Sequence, residues 1–586
     1  MNEETRSKRR NNNPKRQKGN GFFKPVFLGF LFIIFIFAVS LAFKIYMPNF
    51  SIINVHEFFS RDQNSIMLVV EDEIISGYSN PAVKEGEIYL PVDFVKDYMD
   101  KYIFWDEASK KLTITTEYKV MQMKTEELTY YVNMKPMELN LPVYEINETA
   151  YMPEGLLTEL YNVGMKYDES NNIIIIDYLD RDLKSGSLIS KKSALRYNPD
   201  KKSPIERYIY EGESFYIYEE EELYYRIRTE DGLIGYVLKK DVSDIKEVPG
   251  TERPIEKPDY IQSPIEGKIT LVWDLIEKAE QNSRESSRKY HEGLDVLSPT
   301  WFRFDRESYN GDILSIADNS YVTWAHNNGY QVWALMSDEE DGEVTAQILS
   351  STEKREHVIK QILAFCSLYK LDGINIDFER VREADVQYFH QFLRELWPLL
   401  REQGVVLSVD TFVPRAWSMY YNRGEIANSS DYICVMTYDE NTYGGTSGPN
   451  ASIPFVEDGV VQSLKEVPKE KLIMGVPFYS RVWMEEETDT GINYKIRNLG
   501  MNYAYRMFTE NGAEFQWLDD LGCYYGEFDT VEDGKKVKYR TWLEDEKSME
   551  RKLELVEKYD LAGVSAWVRG LEKEEIWSLL DSKLNK

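Results

Sequence analysis

The feature that most constrains the fold lies in the last 320 or so residues, where eight apolar segments of strand length alternate with helical segments. They are KITLVWDLI (268–276), LDVLSPTWFRF (294–304), YQVWALMS (330–337), LDGINIDFE (371–379), VVLSVDTFV (405–413), DYICVMTYD (431–439), KLIMGVPFYSRVW (471–483) and LAGVSAWV (561–568). Continuous apolar strands mark a parallel sheet covered on both faces, because each crossover lays a helix on the sheet. Eight such units over 265–586 predict a (β/α)8 TIM barrel, and in that fold the C-terminal strand ends build the active site. Polar and aromatic residues gather at those ends: Ser298-Pro299-Thr300-Trp301, Asp377-Phe378-Glu379, Thr437-Tyr438-Asp439 and Tyr479-Ser480-Arg481.

The fourth segment carries the sharpest chemical pattern. Side chains alternate faces along a strand, so Ile374, Ile376 and Phe378 share one side while Asn375, Asp377 and Glu379 share the other. In a barrel the apolar set packs under the helices and the polar set points inward. Two ionised carboxylates in one confined space repel, so one pKa rises, which prepares a general acid for work near neutral pH. The structural alternative is an inward polar layer tied together by hydrogen bonds.

The chain of 586 residues is too long for one core, and its other segments read as separate domains. Residues 1–25 form a basic tail with eight Lys/Arg against two Glu, so the rest carries about −36 of the net −30. That acidic bulk argues against nucleic acid as a partner. Val26–Phe43 contains no charge, and as a helix it spans about 27 Å, enough for a transmembrane segment over 26–46. The basic flank then keeps the N-terminus cytoplasmic and sends all later domains outside the cell. The alternative is a signal peptide cleaved near Ser40-Leu41-Ala42, which would leave a secreted protein.

Within 50–180, YLPVDFVKDYMDKYIFWDEASKKLTI (89–114) aligns without gaps on YMPEGLLTELYNVGMKYDESNNIIII (151–176), an offset of 62. This α+β repeat resembles the one named after the N-terminal domain of copper amine oxidases, and a spacer or binding stalk is the reading adopted for it. Residues 186–246 read as short strands closing in GLIGYV, similar to a bacterial SH3-like barrel. A linker with four Pro, 247–264, precedes the barrel.

Returning to the barrel, DGINIDFE resembles the DGxDxDxE motif of family 18 glycoside hydrolases, the chitinase-like enzymes. MTYD (436–439), SGPNASIPFVED (447–458), GVPFYSRVW (475–483) and GVSAWVRGLE (563–572) extend the likeness, which is nearest to the spore-germination and cell-wall branch. That branch carries a small α+β insertion before the last strand, here around 512–568. The resemblance implies substrate-assisted retaining catalysis, in which no enzyme carboxylate attacks the sugar. Glu379 would protonate the glycosidic oxygen and later activate water. Asp377 would hold the substrate's acetamido N–H, Tyr438 would bond its carbonyl, and Trp567 would floor the subsite. Asp439, Tyr479, Arg481 and Trp301 are further substrate-binding candidates, and Asp372 a structural support. One position departs from the motif: the middle Asp is Asn375, also counted among the substrate-facing residues, and the loss of its charge should lower the pKa of Asp377.

The mechanism needs an N-acetyl group, which implies a GlcNAc-containing polymer. An anchored, outward-facing enzyme points to peptidoglycan of the wall or spore cortex, with chitin as the runner-up and a non-catalytic lectin as the second class. No cofactor is expected, because the five His show no paired ligand spacing. The three Cys (Cys366, Cys434, Cys523) fit no disulfide framework.

Overall fold

A computed structural model of the chain describes residues 23–59, 61–62, 65–254, 265, 267–442, 445–488 and 491–585. Most of the expected basic tail and residues 255–264 of the expected linker lie outside them. The described chain forms two compact units, Met1–Tyr89 with Leu156–Pro254, and Leu90–Gly155 with Ile255–Lys586.

The first unit contains α1, Phe23–Tyr46, whose apolar stretch Leu28–Tyr46 is not buried by protein at all. It also holds an all-β region of seven antiparallel strands between Leu183 and Val248. Aromatic and β-branched residues alternate there, placing Phe215, Ile217 and Ile227 inward.

The second unit is dominated by a closed barrel. Its strands are β1 (Ile269–Asp274), β2 (Val296–Pro299), β3 (Gln331–Ser337), β4 (Gly373–Asp377), β5 (Val406–Phe412), β6 (Tyr432–Met436), β7 (Leu472–Pro477) and β8 (Gly563–Trp567). Every neighbouring pair is parallel, and β8 returns to β1 through Ile269 opposite Gly563, so no edge is left open. Between β7 and β8 a five-stranded antiparallel sheet over Tyr479–Leu543 is inserted. It begins earlier than the sequence suggested. The chain leaves the barrel at Phe478, whose N–H donates to the Trp567 carbonyl, and Tyr479–Thr488 then pairs with Gly491–Gly500 and Lys535–Leu543.

The two repeat copies fold alike. Glu87–Pro91, Val92–Tyr98 and the strand starting at Lys111 correspond to Thr149–Pro153, Glu154–Leu160 and the strand starting at Ile173. Their surroundings differ. Ile173–Tyr178 pairs with Met67–Val70 in the first unit. Lys111–Thr115 instead opens a meander that packs on two barrel helices, α2 (Thr352–Tyr369) and α3 (Val386–Glu402). Asp106 accepts from the Thr352 N–H, Lys111 meets Glu356 at 2.8 Å, and Arg355 lies 4.6 Å over the Phe104 ring. Val120 joins the barrel's own core. This part of the repeat is therefore built into the second unit and is not a free stalk.

Candidate active site

Strand β4 sets the site. Ile374, Ile376 and Phe378 are buried against the helix layer, Phe378 stacking on Phe392 at 5.9 Å. The opposite parity points into the barrel. Asn375 is fully buried there, and its amide is saturated: Nδ2 donates to Ser408 Oγ (3.0 Å) and Asp410 Oδ1 (2.8 Å), while Oδ1 accepts from Trp273 Nε1 (2.8 Å) and Ser298 Oγ (3.3 Å). With every polar position taken, Asn375 does not face a substrate, contrary to the expectation above. It ties β1, β2, β4 and β5 together beneath the site.

Above it, Asp377 ends β4. The residue keeps partial exposure, but its Oδ1 is sealed from solvent and has no hydrogen-bond partner among the described residues. Burial, then the carboxyls of Asp410 and Glu379, hold the Asp377 pKa well above the ordinary range. Glu379 is half-buried and is pushed up to about 7, chiefly by burial and then by the charges of Glu340 and Asp338. A carboxylic acid with that pKa keeps its proton close to neutrality, as a general acid must.

Two residues that sequence reasoning missed hold this arrangement. Asp338, buried just after β3, accepts from the backbone N–H groups of Glu379 (3.3 Å), Arg380 (3.1 Å) and Glu340 (3.0 Å), fixing the turn that carries the acid. Asp410 on β5 is buried, pushed up to about 8 by that burial, and bonded to Asn375. Its inward parity with Ser408 was visible in VVLSVDTFV. The Ser337-Asp338 strand end offered Asp338 no comparable pattern.

Tyr438 follows β6, half-buried, its hydroxyl held neutral by burial and by the neighbouring Tyr479, Asp410 and Asp377. A Cβ at Gly475 would sit 2.7 Å from the Val435 carbonyl and 3.2 Å from the Tyr438 ring, so only glycine lets β7 pass this close. Asp439 is gripped by the Tyr479 hydroxyl and the Arg481 guanidinium, each donating to Oδ1 at 2.5 Å. Tyr479 and Arg481 are themselves buried on the insertion's first strand, so Asp439, with its side chain 47% exposed, is the member of this trio open to solvent. Trp567 ends β8 half-buried, 6.0 Å from Trp273.

Two candidates stand apart. Trp301 is fully buried, its indole N–H donates to Asn282, and its ring packs edge-on against Tyr321 at 5.1 Å. It belongs to the core and has no face to offer a sugar. Asp372 lies at the far end of β4, where Oδ2 accepts from the Val332 N–H and lies 2.8 Å from His326 Nε2.

A closed parallel barrel with a carboxylic acid poised near neutrality at the end of its fourth strand is the architecture of a barrel hydrolase. Residues 318–572, from before β3 through β8, match the model of glycosyl hydrolases family 18, so the barrel carries a family 18 glycoside hydrolase domain. Residues 69–176 match the copper amine oxidase N-terminal domain, and no group of three metal-ligating side chains occurs among the described residues. The uncharacterized glycosylase YvbX of Bacillus subtilis is 27% identical over 51% of this chain and 87% of its own length. The putative sporulation-specific glycosylase YdhD and the cortical fragment-lytic enzyme of the same organism are 28% and 26% identical. This chain spans only 53% and 56% of those two relatives. Among solved structures, the Bacillus cereus spore cortex-lytic enzyme SleL aligns with a TM-score of 0.49 at 18% identity, covering 60% of this chain and 77% of that one.

Proposed function

We propose that this hydrolase cleaves β-1,4 bonds beside N-acetylglucosamine in peptidoglycan, working outside the cell from a membrane anchor. The carrying observation is the pair at the end of β4: an acid at about 7 beside a carboxyl whose Oδ1 is dry and unpartnered. In this reading Glu379 gives its proton to the glycosidic oxygen as the C–O bond breaks. The substrate's acetamido oxygen closes onto the anomeric carbon, and Asp377 accepts the acetamido N–H through its unpartnered Oδ1, holding the oxazolinium that forms. Tyr438 donates to the acetamido oxygen and orients it. Glu379, now a carboxylate, takes a proton from the water that opens the ring, which restores the enzyme. Trp567 and Asp439 line the sugar's position. The wall is favoured as substrate by the relatives named for sporulation and cortex lysis, and by the exposed apolar helix α1 ahead of the domains.

The test compares the detergent-purified full chain with its Glu379→Gln variant on peptidoglycan and on chitin oligosaccharides, products being identified by mass spectrometry. Muropeptides with a reducing GlcNAc end from the parent alone support the proposal. Cleavage of chitin alone moves the substrate, and binding of either polymer without cleavage makes the barrel a lectin.

A further inference from the structure

The residues following α1 do not form a loose tether. The Asn49 N–H donates to the Lys201 carbonyl (2.8 Å), Asn49 Nδ2 to the Lys202 carbonyl (3.1 Å), and Arg196 Nη1 to the Asn49 carbonyl (3.0 Å). Lys202 Nζ donates to the carbonyls of Lys44 (2.7 Å) and Met47, capping the end of the helix. Two residues on, Ile205 N–H donates to Ser51 and Ile53 N–H to Ile205, so Ile52 pairs with Ile205 at the mouth of a sheet strand. The loop 198–204 is thus bracketed to residues 44–49, at and just after the end of α1, by four hydrogen bonds.

That bracket fixes a depth. If α1 crosses a bilayer, its final turn ends at the outer boundary, and a loop bonded to the Lys44 carbonyl lies at the same level. The surface there matches the chemistry of that zone. Tyr46, Phe50 and Ile52 are 71%, 64% and 61% exposed, and Lys201 Nζ sits 5.7 Å over the Tyr46 ring. Aromatic and aliphatic groups interleaved with lysines are what a headgroup layer accepts, the stems in the acyl boundary and the ammonium groups among phosphates. The one acid of the loop, Asp200, is exposed, and its carboxylate accepts the Lys202 N–H at 2.9 Å.

Building on the anchor reading above, we propose that loop 198–204 is a membrane-docking surface. Lys44 and Lys201 bind the phosphates of anionic lipid, and Lys202 is the bracket that locks the seven-stranded sheet to the anchor. The first unit then stands on the membrane in one orientation.

The experiment places a bimane on Asn198→Cys in the full chain, whose three native thiols are buried. A second probe at Glu211→Cys sits one strand away, about 18 Å further along. Both proteins are reconstituted into phosphatidylcholine vesicles with about 30% phosphatidylglycerol and headgroup-nitroxide lipid. Expected is loss of most emission at 198 and little at 211, with the quenching at 198 weakened by Lys44→Glu/Lys201→Glu or by omitting phosphatidylglycerol. Equal quenching at both positions in protein that floats with vesicles after carbonate washing overturns the docking and leaves the anchor standing. Protein that does not float, or whose N-terminus begins after Ala42, overturns the anchor reading and the docking with it.

Discussion

Replacing Asp338 by Asn tests whether the turn at the end of β4 is what makes Glu379 an acid. Asp338 Oδ1 accepts from the Glu340 and Glu379 N–H groups and Oδ2 from the Arg380 N–H, with the Thr345 hydroxyl oxygen 3.3 Å from Oδ2. An amide nitrogen in place of Oδ1 would face two N–H donors. In place of Oδ2 it faces only the Arg380 N–H, because Thr345 already donates to the Asp341 carbonyl. The second orientation wins and leaves one buried N–H unsatisfied, a cost of about 1–3 kcal/mol. Relief of a buried carboxylate, whose own pKa is raised by burial, offsets part of that loss. The charge effect has a definite sign. Asp338 helps raise Glu379, so its neutralisation lowers the Glu379 pKa from about 7. A general acid works only while protonated, so the alkaline limb of the pH–rate profile moves to lower pH. With the turn displaced as well, kcat falls about ten- to a hundredfold. Thermal unfolding and kcat against pH on a GlcNAc oligomer check both parts. An unchanged alkaline limb, or one shifted upward, would refute the electrostatic argument.

Other outcomes follow from the same geometry. Because the folded state raises the Glu379 pKa, it binds the proton more tightly than the unfolded chain, and stability falls as pH rises from about 4.5 through 7. Glu379→Gln should therefore unfold at a higher temperature than the parent at pH 8, by up to about 3 kcal/mol, with the difference shrinking toward pH 4. Tyr479→Phe removes one of two donors on Asp439 and should raise KM about fivefold with little change in kcat, since Arg481 still holds the carboxylate. Asp106→Ala deprives the first turn of α2 of an acceptor supplied by the repeat segment. It should lower barrel stability by about 1 kcal/mol in a denaturant titration, whereas a free stalk would leave it untouched.

The barrel was legible because its signal is periodic and local. Each strand is an apolar run, and the parity of residues 374–379 is readable without knowing any partner. What stayed hidden depends on where the chain turns. Trp301 looks like a strand-end aromatic, but its N–H closes back on the Pro299 carbonyl and the ring faces Tyr321 in the outer layer. Tyr479 and Arg481 read as the end of β7, yet the bend at Phe478 moves them onto another sheet. Asp338 gains its role from a turn 41 residues downstream, a relation carried by no local pattern.

The Asn at position 375 answers to its neighbour on β5. A carboxylate there could only accept, so it could satisfy Trp273 and Ser298 but would lie 2.8 Å from Asp410, where two carboxyls can meet only by sharing a proton. The amide donates to Asp410 and accepts from Trp273 at once, which lets β5 carry the acidic group in the dry layer beneath Asp377. The two positions therefore form one donor–acceptor pair, and exchanging them should be less harmful than changing either. Asn375→Asp alone puts two carboxyls in contact, and Asp410→Asn alone takes away the carboxyl that most raises Asp377. Combined, they restore one of each. A double-mutant cycle on unfolding free energy should show a favourable coupling of about 1–3 kcal/mol, with kcat recovering in the double variant. Simple additivity of the two single losses would mean that Asn375 and Asp410 act independently and that the charge on β5 has no bearing on Asp377.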